Sequence, residues 1–512
     1  MGDVRGRSRI GLGGGFAMVA AWGMAACSGP SVLPEPSRTA PVMDDLLSPG
    51  LEELFERVEL VPGMAVAVVR DTSVILLRGF GVADVSSSSP VGPDTPFYIA
   101  SSTKSFTGTA AAILADRGVW DLEDPAGDWI PGLNLPDPLS PDDVTIRHLL
   151  THTARIDNAA VTYRTAYTGD HDRETLIGLL GYSEVLEPGF DYGNIGYVVA
   201  SLAMDTAAGA SWKDVLETEI FQPLGMERTS ADRSAFDGQA LALPHGVGIG
   251  PRAFEILPFI KDDSNMHAAG GIISTASDLA RWLEANLNAG VVDGRQVLSA
   301  EAVAEAHRLQ ATTEAEFYQF ARSGYGLGWY HSDYEGDLVL HHFGNYPGFR
   351  AHVSFMPEAD IGIAVLTNES AQGYFMPEAV ATWIYDHLLG KPGLEAKYDS
   401  VVALLGGDAE RVREAVRRDE QNRLTRPDSL TAPLSAYAGR YTNPAIGTLV
   451  VEPTPFGRLR ARIGRLHSLM EPIDDRRLLR VELVPGSGEV VEFFLNEGRA
   501  DSLLLRGQPF RR

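Results

Sequence analysis

The chain has 512 residues, 44% of them hydrophobic and 22% charged, so it is long enough for at least two domains and too apolar to be disordered. Its 43 basic and 68 acidic residues give a net charge of -25, which argues against a nucleic-acid partner because such a surface repels phosphate backbones. There is a single cysteine, so disulfide bonds within the chain do not hold the fold together.

The N-terminal segment has the three parts of an export signal. Three arginines within residues 5–9 precede an apolar, Gly/Ala-rich stretch, and Met24-Ala-Ala-Cys27 closes it. The closing tetrapeptide resembles a bacterial lipobox, which implies cleavage before Cys27 and acylation of its thiol. We therefore expect a lipoprotein signal peptide at 1–26 and a Pro-rich tether at 27–47. The alternative is an ordinary signal peptide with an accidental cysteine; both predict export, and the lipobox adds a membrane anchor in a bacterial envelope, on its periplasmic or extracellular face.

The first foldable pattern is an antiparallel hairpin, with β-rich runs at 64–69 and 74–77 around a polar turn. Apolar residues at helical spacing then predict a buried amphipathic helix from Ser102 to Gly118. We interpret the aromatic-rich stretch 163–182 as a loop, either over a pocket or a plain surface excursion. Further helices and then strands are predicted at Ile146–His152, Ile195–Ala207, Ser277–Asn288, Leu338–His342, His352–Met356 and Gly362–Thr367.

Helices between an early hairpin and late strands predict an α+β domain with one antiparallel sheet, over residues 48–394. Residues 395–430 are charged and helical in pattern, which is typical of a connector. Residues 431–512 contain twelve arginines and nine acidic residues. Their pattern predicts short strands separated by turns. This last segment is predicted to be a small all-β barrel or sandwich.

Ser101-Ser-Thr-Lys104 stands at the start of the predicted helix. A serine hydroxyl is a weak nucleophile at neutral pH and needs a neighbouring base. Residues i and i+3 share a helix face, so the amine of Lys104 is within reach of the Ser101 oxygen. The start of a helix also offers free backbone N–H groups to a developing oxyanion.

The rarity of lysine in this chain supports the hypothesis that Lys104 activates Ser101. Only five of the 43 basic residues are lysines and the others are arginines. Arginine cannot lose its proton at working pH, whereas lysine can when burial or nearby charge lowers its pKa. A lysine at position 104 therefore fits a role that requires deprotonation; the alternative is a solvated helix lysine.

Two further motifs offer polar groups. Tyr192-Gly-Asn194 follows a turn, where a tyrosine can relay a proton and an asparagine amide can orient a carbonyl. His342-Phe-Gly344, followed by Asn345, lies at the end of a predicted strand, and a glycine there lets a substrate backbone approach the strand edge.

Taken in order, these motifs resemble the serine β-lactamase-related superfamily, which includes class C β-lactamases, penicillin-binding D,D-peptidases, D-aminopeptidases and related esterases. The resemblance covers roughly residues 48–390. It rests on Tyr98-Ile-Ala-Ser101-Ser-Thr-Lys104, Ile146-Arg-His-Leu-Leu-Thr-His152-Thr, Pro188-Gly-Phe-Asp-Tyr192-Gly-Asn194, Pro223-Leu-Gly-Met226, Ala269-Gly-Gly271-Ile-Ile-Ser-Thr275 and Tyr325-Gly-Leu-Gly-Trp329. It implies a β-lactamase/transpeptidase-like fold with a helical subdomain, and the region from Tyr437 onward looks like a small β domain appended to such enzymes.

The resemblance also implies roles. Ser101 would form an acyl-enzyme, while Lys104 and Tyr192 would share the general-base and leaving-group protonation roles in an order left open. The backbone N–H groups of Ser101 and Asn345 would form the oxyanion hole, and Asn194 would hold an amide of the acyl group.

Departures from the family pattern bear on the substrate. His342-Phe343-Gly344 stands where class C β-lactamases have Lys-Thr-Gly, so His342 would offer a weaker, pH-dependent positive charge to a substrate carboxylate. Ala154-Arg155 replaces a usual Ser-Gly, and Asn345 stands where glycine is common. We therefore expect peptidase, amidase or esterase activity, on D-amino-acid or peptidoglycan-type peptides, with weak or no β-lactamase activity.

Neither a metal nor another cofactor is implied, because His148 and His152 lack the glutamate of a zincin and no nucleotide-binding motif occurs. The rival interpretation is a catalytically retired member of this family that acts as a binding or scaffold module in the envelope.

Overall fold

The computed structural model describes residues 41–248, 253–427, 430–474 and 476–512. The predicted signal peptide at 1–26, Cys27 and most of the predicted tether lie outside the described residues. In the ranges that are described, no helix combines the length and apolar character needed to cross a bilayer.

The described helices are labelled α1 to α14 in chain order. They are Pro41–Val58, Thr103–Asp116, Ala126–Trp129, Ile146–Leu150, Ala159–Tyr163, Arg173–Leu180, Ile195–Ala208, Trp212–Leu216, Gln222–Leu224, Ala276–Leu287, Ala300–His307, Met376–Leu388, Leu394–Leu424 and Leu434–Tyr437. Short 3₁₀ turns occupy Ala100–Ser102, Arg233–Phe236 and Asp263–Asn265, and π-helical turns extend α5 and α8 over Arg164–Thr168 and Glu217–Phe221.

Nine strands form one fully antiparallel sheet in the order β4-β5-β6-β7-β8-β9-β1-β2-β3. They are β1 Gly63–Arg70, β2 Ser73–Asp84, β3 Ser89–Pro90, β4 Ala311–Phe317, β5 Phe320–Tyr325, β6 Tyr330–Tyr334, β7 Asp337–Tyr346, β8 Phe349–Met356 and β9 Ile361–Thr367. Two-stranded ladders pair Phe97–Tyr98 with Ile273–Ser274, Ile156–Asp157 with Glu184–Val185, His245–Val247 with Phe254–Ile256 and Val291–Val292 with Arg295–Gln296.

The central strands are buried along almost their whole length because helices cover both faces of the sheet. α1, α12 and α13 form the layer on one face, and α10 lies on the other with α2 and α11 beside it. Within that second layer, Phe106 of α2 stacks on Trp282 of α10 with ring centroids 4.1 Å apart. This packing buries α2 and fixes its N-terminus against the sheet.

The C-terminal strands close into an eight-stranded barrel. They are β10 Gly439–Asn443, β11 Gly447–Pro453, β12 Leu459–Ile463, β13 Leu466–Pro472, β14 Leu478–Val481, β15 Glu489–Asn496, β16 Arg499–Leu505 and β17 Gln508–Arg511. Alternate residues point inward, as in β12, where Leu459, Ala461 and Ile463 are buried and the two arginines between them are exposed.

The barrel docks on the α+β domain through arginines. Arg164 donates from Nε to the carbonyl of Ala445 at 2.6 Å, and Arg465 donates from Nη1 to Asn265 Oδ1 at 2.8 Å. Arg506 also lies over the ring of Tyr163, 4.2 Å from its centroid. The barrel is therefore held against the segment around α5 and the turn Asp263–Asn265 by side chains from both domains.

The predicted α+β domain with one large antiparallel sheet is confirmed, and the small β domain that follows it is a barrel rather than a sandwich. Two expectations were incomplete or wrong. Strands β4, β5 and β6 were not predicted, and the stretch 163–182 is not a loop, since it contains a π-helical turn and α6.

Candidate active site

Ser101 lies in the tight turn that leads into α2. The preceding residue, Ala100, has φ 47°, a left-handed conformation that is rare for a residue with a side chain. The turn is tied to the neighbouring segment, because Ile99 donates its N–H to the carbonyl of Ile272 at 3.0 Å and Ile272 donates its own to Thr103 Oγ1 at 3.1 Å. The backbone around Ser101 is thus held rigidly in an unusual conformation.

Lys104 is completely buried one turn after Ser101. Its Nζ lies 3.2 Å from Ser101 Oγ, 2.8 Å from Asn194 Oδ1 and 2.8 Å from the carbonyl oxygen of Ala269. The rings of Tyr192 and Tyr197 lie 4.9 and 5.6 Å from the same nitrogen, measured to their centroids. The helix spacing therefore brings amine and hydroxyl together.

Burial lowers the pKa of Lys104 well below its usual 10.5, because an ammonium group loses more solvation than an amine when it leaves water. Among the described residues no carboxylate forms an ion pair with it, so no negative charge opposes this shift. A neutral amine donates two hydrogen bonds and accepts one. Asn194 Oδ1 and the Ala269 carbonyl can only accept, so they take the two N–H groups and leave the lone pair for the hydroxyl of Ser101.

Tyr192 reaches the site from the loop before α7. Its hydroxyl is buried beside Ser101 without a hydrogen bond of ordinary geometry. Burial raises its pKa, while Ser101 and the positive charge of Arg322 oppose that rise. The phenol therefore stays protonated at neutral pH and can donate a proton.

His152, which the sequence interpretation treated only as a discounted metal ligand, holds this loop. Its carbonyl accepts the N–H of Asp191 at 2.9 Å, and its Nδ1 accepts the N–H of Gly193 at 3.4 Å. The two bonds bracket Tyr192, whose ring lies 4.7 Å from the imidazole, centroid to centroid. Burial, with Lys104 and His342 nearby, lowers the pKa of His152 well below 6.5, so the ring is neutral and can accept.

His342 is also completely buried. Its Nδ1 lies 2.7 Å from the carbonyl of Phe343 and must donate, so its Nε2 accepts from the hydroxyl of Tyr325 at 3.1 Å. Burial and the neighbouring Lys104 lower its pKa well below 6.5. The expected pH-dependent positive charge from His342 is therefore wrong, because the ring is neutral in the physiological range.

Gly344 is required by packing within the protein. A Cβ at this position would lie 2.1 Å from the carbonyl oxygen of Ile99, so only glycine lets β7 approach the Ser101 turn. We expected a substrate backbone to approach the strand at Gly344; in the structure the segment at Ile99 makes that close approach. Asn345, the next residue, is exposed at this end of β7.

Arg350 holds β7 from the opposite side. It is fully buried, donates from Nη1 to the carbonyl of Gly344 at 3.2 Å, and forms an ion pair with Glu378 at 2.7 Å. Because the pair is hydrogen-bonded and buried, it fixes the strand position beside the turn.

Arg322 is the cation nearest Tyr192 that sequence reasoning missed. Its guanidinium lies 3.7 Å from the ring of Tyr330 and 5.2 Å from that of Phe343, and its Nε and Nη2 are buried without a hydrogen-bond partner. Arg322 lies on strand β5, which was not predicted, so no pattern in the sequence indicated that this positive charge lies beside Tyr192. The structure thus brings Ser101, Lys104, Tyr192, Asn194 and His342 together, with Gly344 and Asn345 on the adjoining strand.

The chain matches a family model and is similar to proteins of known activity. Residues 51–385 match the family model described as Beta-lactamase. The chain is 26% identical over 419 residues to an unguisins hydrolase of Aspergillus campestris, covering 76% of this chain and 74% of that protein.

Two solved structures share the fold. The octameric penicillin-binding protein homologue from Pyrococcus abyssi aligns with a TM-score of 0.59 at 22% identity, over 91% of this chain and 99% of that one. The D-amino acid amidase from Ochrobactrum anthropi SV3 aligns with a TM-score of 0.54 at 22% identity, over 63% and 91%. The first alignment extends over most of the chain, whereas the second covers less than two thirds of it.

Proposed function

The chain belongs to the beta-lactamase family of hydrolases, and from that premise we propose that it is an exported serine hydrolase that cleaves amide bonds through an acyl-enzyme on Ser101. The observation that carries the proposal is the contact of a serine hydroxyl with a buried amine that has no carboxylate partner among the described residues. Lys104 Nζ lies 3.2 Å from Ser101 Oγ while its two other contacts are acceptors only. A neutral amine so placed can take the hydroxyl proton.

Acylation begins as Ser101 Oγ attacks the carbonyl carbon and its proton passes to Lys104 Nζ. We assign the first proton to Lys104 because burial acts oppositely on the two candidates. It lowers the pKa of the lysine and raises that of Tyr192, so burial favours the deprotonated form of the amine and the protonated form of the phenol.

The leaving amine then takes a proton as its bond to carbon breaks. Tyr192 is the donor we propose, since its hydroxyl is protonated, buried beside Ser101 and free of other partners. Lys104, now protonated, returns its proton to the phenolate, which Arg322 and the ammonium help to stabilise meanwhile. Water attacks the acyl group with the same two residues in reverse roles, restoring Ser101.

The remaining predicted residues orient the substrate in this proposal. The backbone N–H groups of Ser101 and Asn345 would receive the oxyanion. Asn194 is fixed by its bond to Lys104, which leaves its amide nitrogen for a carbonyl of the acyl group.

The similarity to a D-amino acid amidase and to an unguisins hydrolase supports substrates of D-amino-acid amide or peptide type. Two features argue against efficient β-lactam turnover: His342 is neutral, and Phe343 has no hydroxyl. Export and lipid attachment at Cys27 are supported by the sequence Met24-Ala-Ala-Cys27, and a Cys27→Ala variant should leave the membrane fraction.

Covalent labelling tests the proposal. A fluorophosphonate probe and a fluorescent penicillin are applied to the full chain, and the labelled peptide is identified by mass spectrometry. We expect label on Ser101 from at least one probe and none in Ser101→Ala. Ser102→Ala is the matched control, because that neighbouring hydroxyl is buried and makes no hydrogen bond. Absence of label with both probes would favour a retired fold that acts as a binding module.

A further inference from the structure

A cleft of about 820 Å³ begins beside the end of β7. Asn345 and Tyr346 line its start, and the turn Pro347-Gly348 continues its wall. The turn packs closely on Pro244, since Gly348 has φ 81° and a Cβ there would lie 2.3 Å from the Pro244 side chain. Asn345 also belongs to the candidate oxyanion hole, so the cleft shares one residue with the place where a substrate carbonyl would lie.

Three separate parts of the chain build the cleft. The segment around Leu257 and Pro258 forms one side, α13 forms the opposite side with Ala415 and Val416, and the barrel closes the far end near Pro485. None of these parts is needed for the contacts between Ser101 and Lys104. The helix and the barrel therefore add a binding surface to a catalytic centre that is already complete.

The lining is largely apolar near the site and charged at the far end. There, Arg423 and Arg480 both pair with Asp419 and with Glu482. These four groups satisfy one another, but Glu255, which also lines the cleft near Arg423, forms no ion pair among the described residues and leaves one acidic group in excess. An acidic extension would therefore lose its hydration without gaining a partner, whereas an uncharged apolar one would not.

The volume also bears on the ligand. Small-molecule sites measure roughly 300–1,000 Å³, so this cleft could hold a drug-sized group besides whatever occupies the catalytic centre. A single amino-acid amide would leave it empty. An extended peptide advances about 3.3–3.6 Å per residue and could follow the cleft from Asn345 toward the barrel.

We infer that this cleft binds the part of a peptide substrate that lies beyond the attacked bond, and that the enzyme prefers peptides of several uncharged, apolar residues over single aminoacyl amides. The inference rests on the proposed function and narrows its substrate class. It separates such peptides from peptidoglycan-type stems that carry acidic side chains.

The test measures kcat/KM of the full chain on two series built around one D-aminoacyl amide bond. One series is lengthened by alanine and leucine residues on the acyl side, the other on the leaving-group side. We expect kcat/KM to rise about tenfold or more with length in one series, since each buried apolar side chain contributes about a factor of ten in binding. Replacing an added leucine by glutamate should abolish the gain.

Variants on one helix provide the matched control. Ala415→Arg places a long side chain in the cleft from an exposed position on α13, and should remove the gain on long peptides while the single amide is cleaved as before. Ala396→Arg makes the same change at an exposed position of α13 outside the cleft lining and should alter neither.

Two outcomes would overturn the inference and are distinguishable. Turnover of the single amide with no dependence on length, or with full retention of the gain in Ala415→Arg, refutes the cleft alone. Absence of turnover throughout both series, together with absence of covalent label on Ser101, refutes the proposed function and the cleft with it.

Discussion

Two lysines of this protein are buried, Lys104 beside Ser101 and Lys261 beside the ladder that supports the Ser101 turn. Burial lowers the pKa of both well below 10.5, and neither forms an ion pair with a described residue. Lys261 donates to the carbonyl of Asn265 at 2.9 Å and lies between the rings of Tyr98 and Tyr346, 4.7 and 4.5 Å from their centroids.

The difference lies in what surrounds each amine. Lys104 contacts a hydroxyl that can give up a proton, whereas Lys261 contacts one carbonyl and two aromatic faces, which hold a cation but exchange nothing. A lowered pKa therefore does not by itself identify a catalytic base. The base is identified by the Ser101 hydroxyl that lies 3.2 Å from its nitrogen. Four experiments test this difference between the two lysines, from the largest expected effect to the smallest.

The same substitution at the two lysines should have unequal consequences. Lys104→Met removes the base and should lower kcat/KM by about 10²–10⁴-fold, the usual range for general-base catalysis. Lys104→Arg should do nearly the same, because a guanidinium cannot accept the proton. Lys261→Met should retain activity within about threefold of the wild type. Equal losses at both positions, measured on variants with native circular dichroism, would contradict the distinction.

Tyr192 beside Lys104 and Tyr98 beside Lys261 give a second pair of residues to compare. Tyr192→Phe removes the proposed proton donor and should reduce kcat about 100-fold with little change in KM. Tyr98→Phe removes a hydroxyl that is equally buried and without a hydrogen bond, but it adjoins Lys261 and should leave kcat unchanged. Steady-state kinetics on a short D-aminoacyl amide decide between them. An unchanged kcat in Tyr192→Phe would remove that residue from the mechanism.

His152 acts on the reaction through Tyr192. His152→Ala deletes the acceptor for the Gly193 N–H and should lower kcat about tenfold, since small misplacements of a catalytic group are costly. His152→Asn offers a side-chain oxygen to the same N–H and tolerates the observed φ of 59°, so most of kcat should return. Similar kcat values in the two variants would show that filling the space, not the hydrogen bond, is what matters.

The smallest effect concerns stability. Between the lowered pKa of folded Lys261 and 10.5, the unfolded chain binds a proton that the folded chain does not, so this residue makes stability rise with pH in that window. Lys261→Met lacks this contribution. Its advantage in unfolding free energy over the wild type should therefore be larger at pH 7 than at pH 9.5, measured in urea. An advantage that grows with pH would contradict the sign.

Much of this arrangement could be predicted from local patterns. The hairpin of β1 and β2 and helix α2 follow periodicities within single segments, and the contact of Ser101 with Lys104 follows from helical spacing alone. Strand β4 was missed because it is largely exposed and carries Thr312, Thr313, Glu314 and Glu316 in place of an apolar alternation. Only the finished sheet reveals its pairing with β5.

Properties that depend on distant neighbours could not be predicted. The neutrality of His342 comes from its burial and from Lys104, 238 positions earlier in the sequence. The role of His152 requires knowing where Asp191 and Gly193 lie. The cleft is formed by the meeting of α13, the barrel and the end of β7, none of which carries a local signal for it.

The pH dependence of acylation tests the central claim most directly. The rate of the Ser101 acylation burst is measured from pH 5 to 10 in wild type, Lys104→Met and Lys261→Met. If a neutral Lys104 takes the proton, wild type and Lys261→Met reach their plateau at a pH well below 10.5 and lose the burst as pH falls. A wild-type rate that climbs steadily to pH 10, in parallel with Lys104→Met, would show that hydroxide and not this amine activates the serine.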